Sequence, residues 1–551
     1  MSTDAMASEV GTPAPFVPKL SKLAQRAKEQ GWLKWAIVVA VSFAALLQVI
    51  DTSIVNVALP YMQGNLGTTL TEIGWVSTSY SIANVIVIPL SAWLGLRFGK
   101  KRYFIFSVIT FVLASVMCGF ANSLPMLILG RVIQGFGGGG LLAPAQALIF
   151  QAVPREDQGK ASTVFTICVI VGPAIGPVLG GYLTDNYGWP WIFYINVPLG
   201  ILALYLCSTF LVPDDPSSRE DHRNDKIDWW GIFFLSLGLG TFQTMLEQGQ
   251  EDDWFSSPFI QRMAFLSVVG IVCFIWQELR VAKPAVDLRV LRYRSVSLGS
   301  IISIALGMGL YGTVFVVPVF VQNVLHFTAT ETGVMLIPGA LASAAASFAL
   351  APLGKVFSPR MLIAVGCLMT IGVMVALMGI NPDTGYDQFF WPLIWRGFGS
   401  VVMFIPLSIA TLGALPKQDI DAASGFFGLT RQLGGSIGIA GITTLVAKQQ
   451  FVHRSQIIGN ISDLNSAVGE RLAGGTAFFS ASSGDPVAVH KQALTLLDQA
   501  VDFQALLLSY RDVFYFVAFV FILMMPLIFF LGKNPKIHLC DPNFRVIRFS
   551  L

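Results

Sequence analysis

A handful of ionisable residues lie where this chain is otherwise apolar, and they are where chemistry could occur. Asp51 falls near the end of a long apolar run, in Gln48-Val-Ile-Asp51-Thr-Ser-Ile-Val-Asn56-Val-Ala-Leu-Pro60. Arg131, Arg396 and Arg431 lie in other apolar runs. A charge inside a membrane span is costly, and its default reading is functional. Asp51 could bind and release a proton or hold a cation; alternatively it caps a break in its helix or ties the Asn56 region. Burial favours the neutral carboxyl and a nearby arginine favours the ionised one, so a carboxylate moved between those surroundings can load and unload a proton. Arg131 is always charged; it must face a cavity or a cluster of carbonyls, or tie spans together. Glu247 closes another apolar run, in Met245-Leu-Glu247-Gln-Gly-Gln-Glu251, as a coupling carboxylate or as a solvated charge near the outer boundary. Asp185 reads as solvated.

The elements that must hold these residues follow from composition. Hydrophobic residues make up 54% of the 551, and charged residues 12%, against about 25% in a soluble domain. The chain is therefore solvated mostly by lipid. A net charge of +3 leaves no basic stripe for nucleic acid. The six cysteines are scattered singly, with no metal or redox spacing. His222, His326, His453, His490 and His538 fall in loops, at span ends or in the tail. With no nucleotide-binding motif and no paired catalytic carboxylates either, the expectation is neither an enzyme nor a protein with a cofactor or metal.

A spanning helix needs about 20 predominantly apolar residues. Fourteen runs qualify, near 35–58, 73–95, 103–121, 125–150, 161–183, 191–212, 229–247, 261–279, 297–322, 333–356, 361–380, 389–413, 424–446 and 512–532. An even number puts both termini on one side. Lysine and arginine concentrate on that side, while the short loops opposite carry only Arg262; the bias makes the termini cytoplasmic. The first run is longer than a signal-peptide core and reads as a retained span.

A weak internal repeat divides the chain. Arg131-Val-Ile-Gln-Gly-Phe-Gly-Gly-Gly-Gly-Leu-Leu-Ala-Pro144 resembles Arg396-Gly-Phe-Gly-Ser-Val-Val-Met-Phe-Ile-Pro406, and each is followed by another Gly-rich span. Repeated halves with substrate at their interface mark transporters. The expected organisation is a cytoplasmic tail (1–34), a six-helix half (35–212), an inserted helix pair with its loops (213–296), a second six-helix half (297–532) and a cytoplasmic tail (533–551). The second half contains a large outside loop, 447–511, expected to form short amphipathic helices on the membrane face or to dock a partner. The Gly/Pro run Gly172, Pro173, Gly176, Pro177, Gly180, Gly181 permits close helix approach and a kink. Asn56, Trp75, Tyr80, Asn84, Gln146, Tyr311, Gln322 and Phe404 are candidates to line a cavity between the halves, or else ordinary packing.

Several segments carry a family resemblance. Asp51-Thr-Ser-Ile-Val-Asn-Val-Ala-Leu-Pro60, Leu129-Gly-Arg131-Val-Ile-Gln134-Gly135, Gly172-Pro-Ala-Ile-Gly-Pro-Val-Leu-Gly-Gly181, Trp189-Pro-Trp-Ile-Phe-Tyr-Ile-Asn196-Val-Pro198 and Ser424-Gly-Phe-Phe-Gly-Leu-Thr-Arg431 resemble the motifs of the fourteen-span drug:proton antiporters of the major facilitator superfamily, the EmrB/QacA type. The resemblance implies an all-α fold of two six-helix halves plus two inserted helices. It also implies proton-driven export of hydrophobic or amphipathic drugs through a bacterial inner membrane by alternating access. Asp51, Arg131 and Glu247 would then couple protons, and a periplasmic adaptor and an outer-membrane channel would be partners. A dedicated exporter of one metabolite or siderophore and a non-transporting sensor are the rival readings. One departure stands out. In Trp93-Leu-Gly-Leu96-Arg97-Phe-Gly99-Lys100-Lys101-Arg102 the family's Gly99 and basic residues, Arg97 among them, are kept, but Leu96 stands where many members have the Asp of a charge relay that locks the outward-facing state. Any such lock must be built differently here.

Overall fold

The computed structural model describes residues 20–214, 226–281, 283–325, 327–379, 381, 384–461, 466–480 and 485–531. His222, His326, His538 and most of the two tails lie outside them. Helices account for nearly all of the described residues. They are α1 (Lys22–Glu29), α2 (Leu33–Leu66), α3 (Leu70–Phe98), α4 (Lys100–Gly119), α5 (Leu124–Gly139), α6 (Leu142–Ala152), α7 (Gln158–Tyr187), α8 (Trp191–Tyr194) and α9 (Asn196–Phe210). After these come α10 (Trp229–Gln248) and α11 (Pro258–Arg280), then α12 (Arg294–Val324), α13 (Ala329–Val356), α14 (Pro359–Leu377), α15 (Tyr386–Leu412), α16 (Ile420–Gly459), α17 (Ser466–Ser480) and α18 (Pro486–Phe530).

Eleven of the described segments are long and apolar enough to cross a membrane, or twelve when α7, bent by 41° around Pro173–Ile175, is counted as one span. The protein is therefore a multi-pass membrane protein. Two of the fourteen expected spans, α10 and α16, are helical but less apolar than the others. Both carry more glutamine, threonine and serine, which suits helices packed against protein more than lipid.

The helix starts repeat between the halves. Thr69 caps α3 and Glu72 reaches back to its backbone, while Thr328 and Glu331 do the same for α13. Each satisfies two orphan N–H groups of a first turn reciprocally. Both belong to a Thr-x-Thr-Glu-x-Gly segment that opens the second span of its half. This repeat is shorter than the arginine-centred one and falls at the corresponding place.

Glycines let the helices close up. A Cβ on Gly172 would stand 2.8 Å from Val49 and one on Gly180 2.9 Å from Ile54, while one on Gly176 would collide with Ser53. The run is thus a tight α2–α7 seam, with the bend of α7 beside Pro173. Gly135 and Gly139 bring α5 against the α3 backbone, and Gly137 brings it against α4. In the second half Gly434, Gly435 and Gly438 seat α16 on α12. Helix α10 bridges α3 and α16: Thr78 on α3 donates to Glu247 on α10, and Gln243 on α10 donates to Ser436 on α16.

Where α2 begins and α3 ends, the halves are tied together. Lys100 pairs with Asp421 at 2.7 Å. Ser424 donates to the Ala143 carbonyl at 2.8 Å, Arg155 to that of Ala414 at 3.4 Å and Gln151 to that of Lys417 at 3.5 Å.

The expected loop 447–511 is different from the sequence reading. Residues 447–459 continue α16 and residues 486–511 begin α18, with α17 packed on α18. At 1.5 Å per residue the 40 residues of α16 and 45 of α18 run about 60 and 68 Å, about twice a hydrocarbon core of about 30 Å. The two extensions are joined by Arg454 with Asp498 (2.7 Å) and Asp502 (2.5 Å), and by His453 with Asp512 (2.8 Å).

Candidate functional site

Asp51 and Arg131 meet in the interior of the first half. Arg131 Nη1 donates to Asp51 Oδ2 at 2.6 Å, and the two side chains are 1% and 0% exposed. The same nitrogen donates to Gln134 Oε1 at 2.7 Å, and Arg131 Nε donates to the Val76 carbonyl at 3.0 Å. Asp51 Oδ1 accepts from Gln134 Nε2 at 2.7 Å and from Asn196 Nδ2 at 2.8 Å. Ser115 Oγ receives both amides, at 2.8 and 3.4 Å. Five membrane helices supply these groups: α2 Asp51, α3 the Val76 carbonyl, α4 Ser115, α5 Arg131 and Gln134, and α9 Asn196.

A buried ion pair survives when geometry and further hydrogen bonds satisfy both charges, and that holds for Asp51. Its oxygens accept three donors, as an ionised carboxylate should. Oδ2 accepts one donor and Oδ1 two, so one of the carboxylate's about four lone-pair sites stays free, on Oδ2 beside the guanidinium. The Arg131 guanidinium also lies over the Tyr80 ring, 4.2 Å from its centroid, and 5.9 Å from that of Phe193.

Glu247 is neither a loop charge nor part of this cluster. It ends α10, half-buried, accepting from Thr78 at 3.1 Å and from Gln243 at 2.7 Å. Thr78 is two residues along α3 from Val76, whose carbonyl holds Arg131, so one turn of α3 touches both acidic sites. Asp185 is exposed and accepts from Tyr61 at 2.7 Å.

The expected cavity residues divide. Asn56 is exposed and accepts from Ser77 at 3.2 Å; Trp75, Tyr311 and Gln322 are half-buried. Tyr80 (2% exposed) is the platform under Arg131, and Phe404 (1%) lies under Arg431, 5.1 Å from its guanidinium carbon. Neither ring lines open space. Asn84 and Gln146 are buried, and Asn84 Nδ2 and Gln146 Oε1 have no partner among the described residues. Gly99 adopts φ +91° between α3 and α4, a conformation that suits glycine, and Arg97 stacks on Trp93 at 5.6 Å. Leu96 is partly exposed, and the ion pair joining the halves here starts from Lys100 instead.

Sequence reasoning did not single out Gln134, Asn196 or Ser115 as site residues. Gln134 and Asn196 lie within segments that drew attention for other reasons, Gln134 one helical turn after Arg131. Ser115 carries no sequence signal.

The site is thus a buried carboxylate–guanidinium pair inside the first half of a bundle of apolar membrane helices. The model of the Major Facilitator Superfamily matches residues 41–439, and the chain belongs to that family. It is 33% identical over 498 residues to the multidrug export protein EmrB of Escherichia coli strain K12, covering 90% of this chain and 95% of that one. It is 34% identical over 438 residues to the multidrug export protein EmrB of Haemophilus influenzae, covering 79% and 85%. Among solved structures, the human organic anion transporter MFSD10 shares the fold, with a TM-score of 0.54 at 12% identity, covering 90% of this chain and 99% of that one.

Proposed function

We propose that this protein exports hydrophobic or amphipathic drugs and toxic compounds in exchange for protons, by alternating access between two six-helix halves. The observation that carries the reading is the buried Asp51–Arg131 pair; in this reading proton and guanidinium compete for the one carboxylate. Similarity over most of the chain to multidrug export proteins supports the choice of cargo. In this reading fourteen helices span a bacterial inner membrane, α10 and α16 included, and both termini are cytoplasmic. The tied end of the bundle, rich in lysine and arginine, is then the cytoplasmic end, and the halves are closed there. The helical extensions of α16 and α18 reach into the periplasm. They are the surface we assign to a periplasmic adaptor, itself joined to an outer-membrane channel; adaptor pull-down that survives shortening of both extensions would reject that assignment.

The test is substrate-induced proton release from energised inverted vesicles, with a panel of lipophilic drugs, for wild type and Asp51→Asn. Release by wild type and none by the variant is the expected result. Release that persists in Asp51→Asn removes the coupling role from Asp51 and moves it towards Glu247.

A further inference from the structure

The second half contains a buried charge that no acidic side chain neutralises among the described residues. Arg431 on α16 is 2% exposed, and apart from the neighbouring Tyr311 hydroxyl its Nη1 and Nη2 have no hydrogen-bond partner among them. Its guanidinium carbon lies 5.1 Å from the Phe404 ring centroid and 5.8 Å from that of Phe427. Tyr311, the polar side chain beside it, is half-buried. The contrast with the first half is direct. There Arg131 has Asp51, and the pair is neutral. Among the described residues from 294 to 530, no acidic residue lies in the middle of a membrane helix. Glu247 reaches α16 only through Gln243 and Ser436. Arg396, a half-buried arginine of this half, has the Thr313 carbonyl at 3.1 Å; Arg431 has no carbonyl acceptor among the described residues.

An arginine cannot shed its charge, and a buried charge without a partner is strongly unfavourable. We infer that Arg431 with Tyr311 forms an anchor for the anionic head of an amphipathic cargo, a carboxylate attached to an apolar or aromatic body, with Phe404 and Phe427 backing the guanidinium. Its forked donors match a carboxylate bidentately, and the Tyr311 hydroxyl supplies a further donor. The inference rests on the export reading and narrows its substrate class to organic anions for this site.

The test uses the full-length protein in lipid nanodiscs, titrated calorimetrically against empty nanodiscs. The probes share one ring system: naphthalene-2-carboxylate, the cationic (naphthalen-2-ylmethyl)trimethylammonium and neutral naphthalen-2-ylmethanol. Arg431→Gln is expected to weaken the carboxylate at least tenfold and leave the cation unchanged or tighter, whereas Arg431→Lys, which keeps the charge but loses the planar fork, falls between wild type and Arg431→Gln. Tyr311→Phe, which leaves the guanidinium in place, is expected to weaken the carboxylate about threefold and the cation not at all. Equal losses for all three probes would make Arg431 a structural residue and overturn the inference. So would carboxylate binding unchanged in Arg431→Gln, or in Tyr311→Phe should Arg431→Gln not fold. Wild type that binds the cation or the alcohol but not the carboxylate overturns this inference alone; wild type that binds none of the three overturns the export reading with it.

Discussion

Lys100 and Asp421 offer the most direct handle on the conformational cycle. Lys100 opens α4 in the first half and Asp421 lies in the first turn of α16 in the second, so their 2.7 Å pair exists only while the halves are together at this end. Their side chains are 28% and 11% exposed. Fully exposed pairs contribute about 0.2–1 kcal/mol, and breaking a fully buried pair costs about 3–5 kcal/mol. A half-screened pair falls between, at about 1–2 kcal/mol, which shifts a two-state equilibrium by a factor of about 5–30. The closure does not rest on this pair alone, because the Arg155–Ala414, Gln151–Lys417 and Ser424–Ala143 bonds remain. Asp421→Asn should therefore raise the fraction of molecules open at the cytoplasmic end several-fold without abolishing closure.

Distances between spin labels at Arg102→Cys and Gln418→Cys, on a cysteine-free background, would read the populations directly. Lys100→Asp should open the bundle as Asp421→Asn does. The exchange Lys100→Asp with Asp421→Lys should recover at least half of the shift, since it restores the attraction with its sign reversed. A swapped double variant as open as the two single changes combined would refute the reasoning, because it would show that the residues act separately.

Two further outcomes follow from the geometry. Gly176→Val should destabilise the protein by about 1–3 kcal/mol through overpacking, because its Cβ meets Ser53 across the α2–α7 seam; thermal unfolding in detergent reads the loss, and an unchanged midpoint would show that the seam can open freely. Gln134→Ala should cost about 1.5–3 kcal/mol, the scale of a hydrogen bond to a charged group, since Gln134 touches both Asp51 and Arg131. It should also slow proton release, and stability lost with coupling kept would confine Gln134 to a structural role.

The order in which these features became visible has a physical basis. The apolar runs and the charges inside them are one-dimensional properties, so the helices, and the presence of Asp51 and Arg131 within them, were legible from residue types alone. Whether the two touch was not, because 80 residues separate them and only the seating of α2 against α5 and α7 decides it. Gln134 could have been inferred, since a residue three positions after Arg131 shares its helix face. Ser115 could not, since a serine in an apolar run usually bonds its own helix, as this one also does to the Phe111 carbonyl. Tyr80 and Phe404 were expected to face a cavity because aromatic residues suit drug pockets; both instead lie beneath guanidinium groups, a use of the same π face that sequence cannot distinguish. The extensions of α16 and α18 were hidden for a different reason. Polarity rises after residue 446, and in a membrane protein that rise is taken as the end of a helix, when it marks only the end of the lipid. Backbone hydrogen bonds inside a helix are indifferent to that boundary. Once two neighbouring helices leave the bilayer together, contacts such as Arg454 with Asp498 and Asp502 can replace lipid as the reason to stay paired.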